Sequence, residues 1–172
     1  PALDADRREA LRQALAGTRI RWEDLLAEAN RQHATPLWYV RLNAHGLLDL
    51  LPPDLATYLA QLTAANRARN LKLRQELAAI LVILGAYDIP VLLLKGAATF
   101  TDKLYADTGA RLMSDLDLLI PEDRAEEAQA HLIAAGYIED PTRMTRCDTF
   151  PLSTRHCHLP SLNHPGKRAV IE

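Results

Sequence analysis

Residues 91–121 decide the fold: VLLLKGAATFTDKLYADTGARLMSDLDLLIP. Val91-Leu92-Leu93-Leu94 is a short unbroken apolar run behind Pro90, the pattern of a buried strand. Lys95-Gly96-Ala97-Ala98 then turns the chain, and Ala97 to Tyr105 can follow as a helix. Asp107-Thr108-Gly109 reads as a loop. Leu116-Asp117-Leu118-Leu119-Ile120 is a second strand, stopped by Pro121. Leu112, Met113 and the apolar residues of that run anchor it, which leaves Asp115 and Asp117 at its edge over a cleft.

Those two aspartates carry the chemistry of the stretch. Side chains two residues apart on a strand project from the same face. Two like charges held that close disfavour each other's ionisation, and a cation between them removes the conflict. Oxygen-only ligands suit a hard ion such as Mg2+, which keeps several waters and is completed by substrate phosphates. The plainer reading is an exposed Asp-x-Asp at a strand end, and the turn upstream weighs against it. Gly96 lets the backbone approach a ligand. The helix behind it offers free N–H groups to anionic oxygens, and Lys95 adds a point charge for phosphate. The motif is neither a Walker A loop nor G-x-G-x-x-G.

Arg111 stands four residues before Asp115, with Lys103 and Tyr105 in the intervening element. It is either a contact for phosphate or half of a structural ion pair. Ser114 can contact phosphate or cap the backbone locally. Val170-Ile171-Glu172 puts a third carboxylate after an apolar pair. Glu172 can orient or deprotonate an acceptor hydroxyl, as two-metal phosphoryl transfer requires, or stand as a solvated strand end.

Upstream the chain reads as helix. Apolar residues recur at helical spacing over Asp4 to Ala16, before Gly17, and again over Trp22 to Gln32. A short helix from Pro36 to His45 is closed by Gly46. Pro52-Pro53-Asp54 opens a much longer one, whose stripe runs from Leu55 and Leu59 to Leu84 and Gly85. The polar run Asn66-Arg67-Ala68-Arg69-Asn70 inside it reads as a solvated face. Downstream, Glu122 to Ala135 is amphipathic, with an acidic first turn and Gly136 as its stop. Tyr137-Ile138 begins a third strand, Pro141 to Arg155 is poorly patterned, and Arg168 to Glu172 resumes β character. Two regions are therefore expected: helices over 1–88, and an α+β core over 89–172 that is C-terminally truncated.

The chain's 172 residues suffice for one compact domain with a helical extension. Lys and Arg number 20 against 22 acids, a net charge of −2 that excludes an overall polycation gripping nucleic acid. A small basic cleft from Lys95, Lys103, Arg111, Arg143, Arg146 and Arg155 is still enough for a tRNA end. Cys147 and Cys157 are too few for a disulfide scaffold and fit a reducing compartment. The apolar runs fall well short of the roughly 20 residues of a membrane span, and no charged-then-apolar leader is visible. A cytoplasmic protein with no membrane partner is expected.

The run from Leu92 to Pro121, followed by an amphipathic helix and Ala135-Gly136-Tyr137, resembles the uncharacterised nucleotidyltransferase family of the polymerase-β-like superfamily. The resemblance extends through the N-terminal helices and covers most of the chain. It implies an N-terminal helical region and a small mixed β-sheet with flanking helices. It also implies Mg2+, two ions in all, and an NTP of unread base, ATP included. By position, Gly96 is the turn, Asp115 and Asp117 are the paired metal ligands, and Glu172 is the candidate third carboxylate. Lys95, Gly96, Ala97, Arg111 and Ser114 fall to the nucleotide. A nucleoside monophosphate would pass to a hydroxyl of a small molecule, protein or RNA, with release of pyrophosphate. Many members carry Gly-Ser or Gly-Gly where this chain has Gly96-Ala97, which removes one phosphate contact. The gap from Gly96 to Asp115 is longer than in compact members.

Other readings stay open. Lys-Gly-x and Arg-x-x-Ser-Asp-x-Asp also resemble toxin-type nucleotidyltransferases of abortive infection. A non-catalytic relative would keep the fold and bind a nucleotide or a partner. The helical half can pack on the core or form a homodimer face. His156-Cys157-His158, with His164 and Cys147, raises zinc, but the spacing fits no standard site and a surface or edge-strand role suits His156 better. His158-Leu159-Pro160 with Leu162 resembles a family segment just before the third acid, which would turn His158 toward the cleft.

Overall fold

A computed structural model describes residues 4–17, 20–101, 104–140, 159–165 and 170–171. Lys103, Arg143, Arg146, Cys147, Arg155, His156, Cys157, His158 and Glu172 lie outside the described residues, and with them the proposed zinc ligands other than His164.

The fold is α+β, with helices at the N-terminus and two small sheets after them. Helices α1 (Ala5–Gly17), α2 (Trp22–Arg31) and α3 (Thr35–Ala44) precede a 3-10 turn at Leu48–Leu50 and the long α4 (Pro53–Gly85). Pro53 opens α4 at a position where a missing N–H costs nothing, and 33 residues carry it roughly 50 Å. Strand β1 (Leu92–Leu93), the short α5 (Lys95–Ala98), β2 (Asp115–Leu116) and β3 (Leu118–Leu119) follow. A 3-10 turn at Glu122–Arg124 leads into α6 (Ala125–Ala134), then β4 (Ile138–Glu139), β5 (Leu162–Asn163) and β6 (Val170–Ile171). No helix among the described residues is long and apolar enough to cross a membrane.

Helix ends follow one device. After α2, α3, α4 and α6 a residue with positive φ closes the turn: His33, Gly46, Asp88 and Gly136. At each, the next N–H bonds the carbonyl five residues back, as Ile89 does to Leu84 and Tyr137 to Leu132. The end of α4 therefore turns at Asp88, three residues beyond the glycine that suggests it in sequence.

The chain divides into two compact units, and the division falls inside α4. Residues 1–70 and 105–112 form the helical unit, whose core gathers Leu42, Leu47, Leu51 and Leu59 with Trp22 and Trp38 beside them. Residues 71–104 and 113–172 form the sheet unit. Its core packs Leu73, Leu77, Ile80 and Leu84 of α4 with Leu116, Leu132, Tyr137, Leu162 and Ile171.

Three local expectations are corrected. The helix expected over Ala97 to Tyr105 stops at Ala98. Beyond it the backbone closes three-residue turns instead, Thr99 N–H to Gly96 O, Phe100 N–H to Ala97 O and Thr101 N–H to Ala98 O, and the Thr99 and Thr101 hydroxyls donate to the same Gly96 and Ala98 carbonyls. The strand at residues 91–94 is not buried throughout. Among the described residues it pairs with β3, antiparallel, Leu92 opposite Leu119 and Leu93 opposite Leu118. The Leu92–Leu119 pair lies on the open face, 60% and 53% exposed, while Leu93 and Leu118 pack against the core. The run Leu116 to Ile120 is not one strand either. It changes partner at Asp117, with β2 parallel to β6 in a mixed four-stranded sheet ordered β2-β6-β5-β4.

Candidate functional site

Asp117 sits at the hinge between the two sheets. Its carbonyl accepts the Leu94 N–H at 3.0 Å, so the end of β1 is tied to the residue that separates β2 from β3. Leu116 before it is fully buried, worth about 1.5–3 kcal/mol of apolar burial, and fixes the strand from behind. The Asp117 side chain is 4% exposed and accepts a 2.5 Å bond from Lys95 Nζ. A buried carboxylate needs such a partner, because removing its charge from water is expensive. Lys95 itself is 61% exposed along its side chain.

Lys95 holds φ at +44°, a left-handed conformation that costs a long side chain about 1–2 kcal/mol. Leu94 is extended and Lys95 is the first residue of α5, so the change of direction falls on Lys95. Gly96 is buried against Met113. A Cβ there would meet Met113 Cε at 3.1 Å, so it is packing, not an unusual backbone angle, that favours glycine. Ala97 is fully buried in the core of the sheet unit. A serine hydroxyl at that place would enter an apolar cluster and need its own partner. Asp115 is half-buried, Ser114 is exposed, and Asp115 pairs with Val170 as Leu116 pairs with Ile171.

The structure thus joins Lys95, Gly96 and Asp117 within the sheet unit. Arg111 belongs to the helical unit. Its carbonyl accepts hydrogen bonds at 2.8 Å from both Asn66 and Asn70, and its Nε is buried without a hydrogen-bond partner among the described residues. Glu172 lies outside the described residues. Among those described, no group of three or more His, Cys, Asp or Glu is arranged to hold a metal ion. The donor chemistry of Asp115 and Asp117 is that of a hard cation, and Asp117 already holds a cationic group in Lys95. His164 Nδ1–H donates to the Pro165 carbonyl at 2.7 Å, and the ring packs edge-on against Tyr137.

A cavity of about 480 Å3 opens beside this site in the sheet unit, walled by Leu94, Leu118, Ile120, Leu132 and Leu162. Lys95 is the charged residue among the described residues lining it. A second, apolar cavity of about 430 Å3 in the helical unit lies between Leu11, Trp22, Trp38 and Leu42, in the unit that lacks the two aspartates.

Sequence reasoning missed the polar clamp of the helical unit. The run Asn66 to Asn70 is not a solvated face: Asn66 and Asn70 are buried. Asn66 also donates to Gly109 O at 2.8 Å, and Asn70 to Thr108 O at 2.6 Å. Arg67 grips Asp107 with two nitrogens, at 3.0 and 2.6 Å, and this bond holds the Asp107 carboxyl below its ordinary range. Asp107 Oδ1 also accepts the Gly109 N–H. A Cβ on Gly109 would lie 2.9 Å from the Thr63 carbonyl oxygen. The signal was in the spacing. Leu59, Thr63, Asn66, Asn70, Leu73, Leu77, Ile80 and Leu84 are buried and alternate steps of three and four, so the asparagines lie in phase with the core stripe.

No curated protein and no solved structure matches the chain. A model of a protein family described as uncharacterised nucleotidyltransferase matches residues 18–162, which span α2 to α4, the Lys95-Gly96 turn and the Asp115-Leu116-Asp117 segment. The chain therefore belongs to the uncharacterised nucleotidyltransferase family.

Proposed function

We propose that the chain transfers a nucleoside monophosphate from an NTP to a hydroxyl acceptor, with Mg2+ held by Asp115 and Asp117. The observation that carries this reading is the approach of Lys95 Nζ to the enclosed Asp117 carboxylate, directly before the Gly96 turn. A cation-binding acid and a phosphate-binding turn are what in-line phosphoryl transfer needs side by side.

When bound, Mg2+ neutralises the triphosphate and orients the α-phosphorus for attack. Asp115 and Asp117 supply hard oxygen donors from one segment. Lys95 contributes a point charge for the anionic oxygens, and the N–H groups of Gly96 and Ala97 at the start of α5 receive them. Ser114 is read as a further phosphate contact. Glu172 accepts the proton of the acceptor hydroxyl as the new ester bond forms and the bond to pyrophosphate breaks. Its support is that Ile171, directly before it, pairs with Leu116, between the two aspartates. The cavity beside Lys95 is of a size that receives small ligands. The same contact also admits the non-catalytic relative, in which Lys95 stays on Asp117 and no metal enters.

A transfer screen with each of four α-labelled NTPs, Mg2+ and cell extract tests the reading. Label should move to an acceptor, and Asp115→Asn with Asp117→Asn should lower the rate by roughly a hundredfold or more. Transfer that survives both substitutions overturns it. Nucleotide binding without pyrophosphate release in any extract supports the non-catalytic relative.

A further inference from the structure

We propose that Lys95 is a tethered competitor for the cation position on Asp117, and that it couples metal binding to triphosphate binding. The inference rests on the nucleotidyltransferase reading above and assigns Lys95 a role within it.

Three observations carry it. The Lys95 ammonium lies 2.5 Å from an Asp117 oxygen that is closed off from water, at the place a hard cation would take. Its stem is largely in solvent, so the ammonium can leave without disturbing the core. And Lys95 sits in a left-handed conformation that the turn imposes, with extended Leu94 on one side and buried Gly96 on the other. Strain of this kind persists only where the surroundings over-determine it. Here the turn roots the Lys95 side chain beside both Asp117 and the cavity.

The consequence is a reciprocal linkage. With no metal, Lys95 satisfies Asp117 and keeps the carboxylate from standing alone. A divalent ion on Asp117 must displace the ammonium, so the metal binds more weakly than the carboxylates alone would allow. A triphosphate held at the Lys95-Gly96 turn draws the ammonium to itself and leaves Asp117 open to the metal. Each ligand therefore strengthens the other, and by the same factor. A lysine that was only a structural partner would give no such factor.

The test is Mn2+ binding to the full 172-residue chain, followed by electron paramagnetic resonance, with and without ATP. In the absence of nucleotide, Lys95→Met should bind Mn2+ about tenfold more tightly than the unsubstituted chain, the order of one charge-assisted hydrogen bond. Lys95→Arg keeps a cation and should bind as the unsubstituted chain does. ATP should tighten Mn2+ binding less in Lys95→Met than in the unsubstituted chain, each measured against the affinity of ATP itself for Mn2+. Lys95→Gln, which retains a neutral donor towards Asp117, replaces Lys95→Met if the latter fails to fold. Equal Mn2+ affinity in the unsubstituted chain and the neutral variants, lost in Asp117→Asn, overturns the competition and leaves the proposed function standing. Mn2+ binding that ignores Asp117→Asn, or that is missing in every variant, overturns both.

Discussion

The two units each bury polar side chains, and they do so in opposite ways. In the helical unit, Asn66 and Asn70 are neutral amides that donate to the backbone carbonyls of residues 108, 109 and 111. In the sheet unit, Asp117 is a charge whose partner reaches it from solvent. An amide clamped between carbonyls of a loop has no second place to go, because each donor it withdraws leaves a buried carbonyl unpaired. An ion pair with one exposed member has an alternative: the lysine can find water or phosphate, and the carboxylate another cation. The first arrangement fixes backbone. The second leaves a choice, and chemistry requires a choice.

Substitutions in the clamp sharpen that contrast. Asn70→Ala should be the costliest, lowering unfolding free energy by about 2–3 kcal/mol in urea titrations, since it removes two hydrogen bonds from a side chain 1% exposed. A loss under about 0.5 kcal/mol would mean the clamp is as yielding as the ion pair. Gly109→Ala comes next, about 1–2 kcal/mol, because its Cβ would press on the backbone oxygen of Thr63, which cannot swing aside. Unchanged stability there would show that the loop has room to move.

The smallest effect is set by pH. Arg67 lowers the Asp107 carboxyl below its unfolded value of about 3.9. The stability it contributes is therefore complete above that value and is lost as pH falls through the folded one. Asp107→Asn keeps the oxygen that accepts from Gly109 and loses the charge. The stability gap between the two chains should be at most about 1 kcal/mol at neutral pH, because Arg67 is partly exposed, and should close below about pH 4. A gap that persists into acid would assign the effect to shape rather than charge.

The sites differ in how far they could be read in advance. The Lys95-Gly96 turn is legible because a glycine between an apolar run and a helix is a local pattern, whereas Asp115 and Asp117 fall on β2 and on the break after it rather than on one strand. The Asn66–Asn70 clamp was misread because polarity within a helix usually means solvent, and only the partner loop at residues 107–111 says otherwise. The break of the strand at Asp117 was equally hidden. Five residues with apolar alternation look like one strand, and nothing local says that residue 116 pairs with 171 while residue 118 pairs with 93.

The sequence alone determined the run of N-terminal helices, the start of α4 and the turn at Lys95-Gly96, since each depends on neighbours a few residues away. Only the tertiary structure decided which polar side chains were buried and which cation answers Asp117. Those outcomes depend on groups 20 to 45 residues apart in the chain, as Lys95 and Asp117 or Asn66 and Arg111 are, and no local pattern records them.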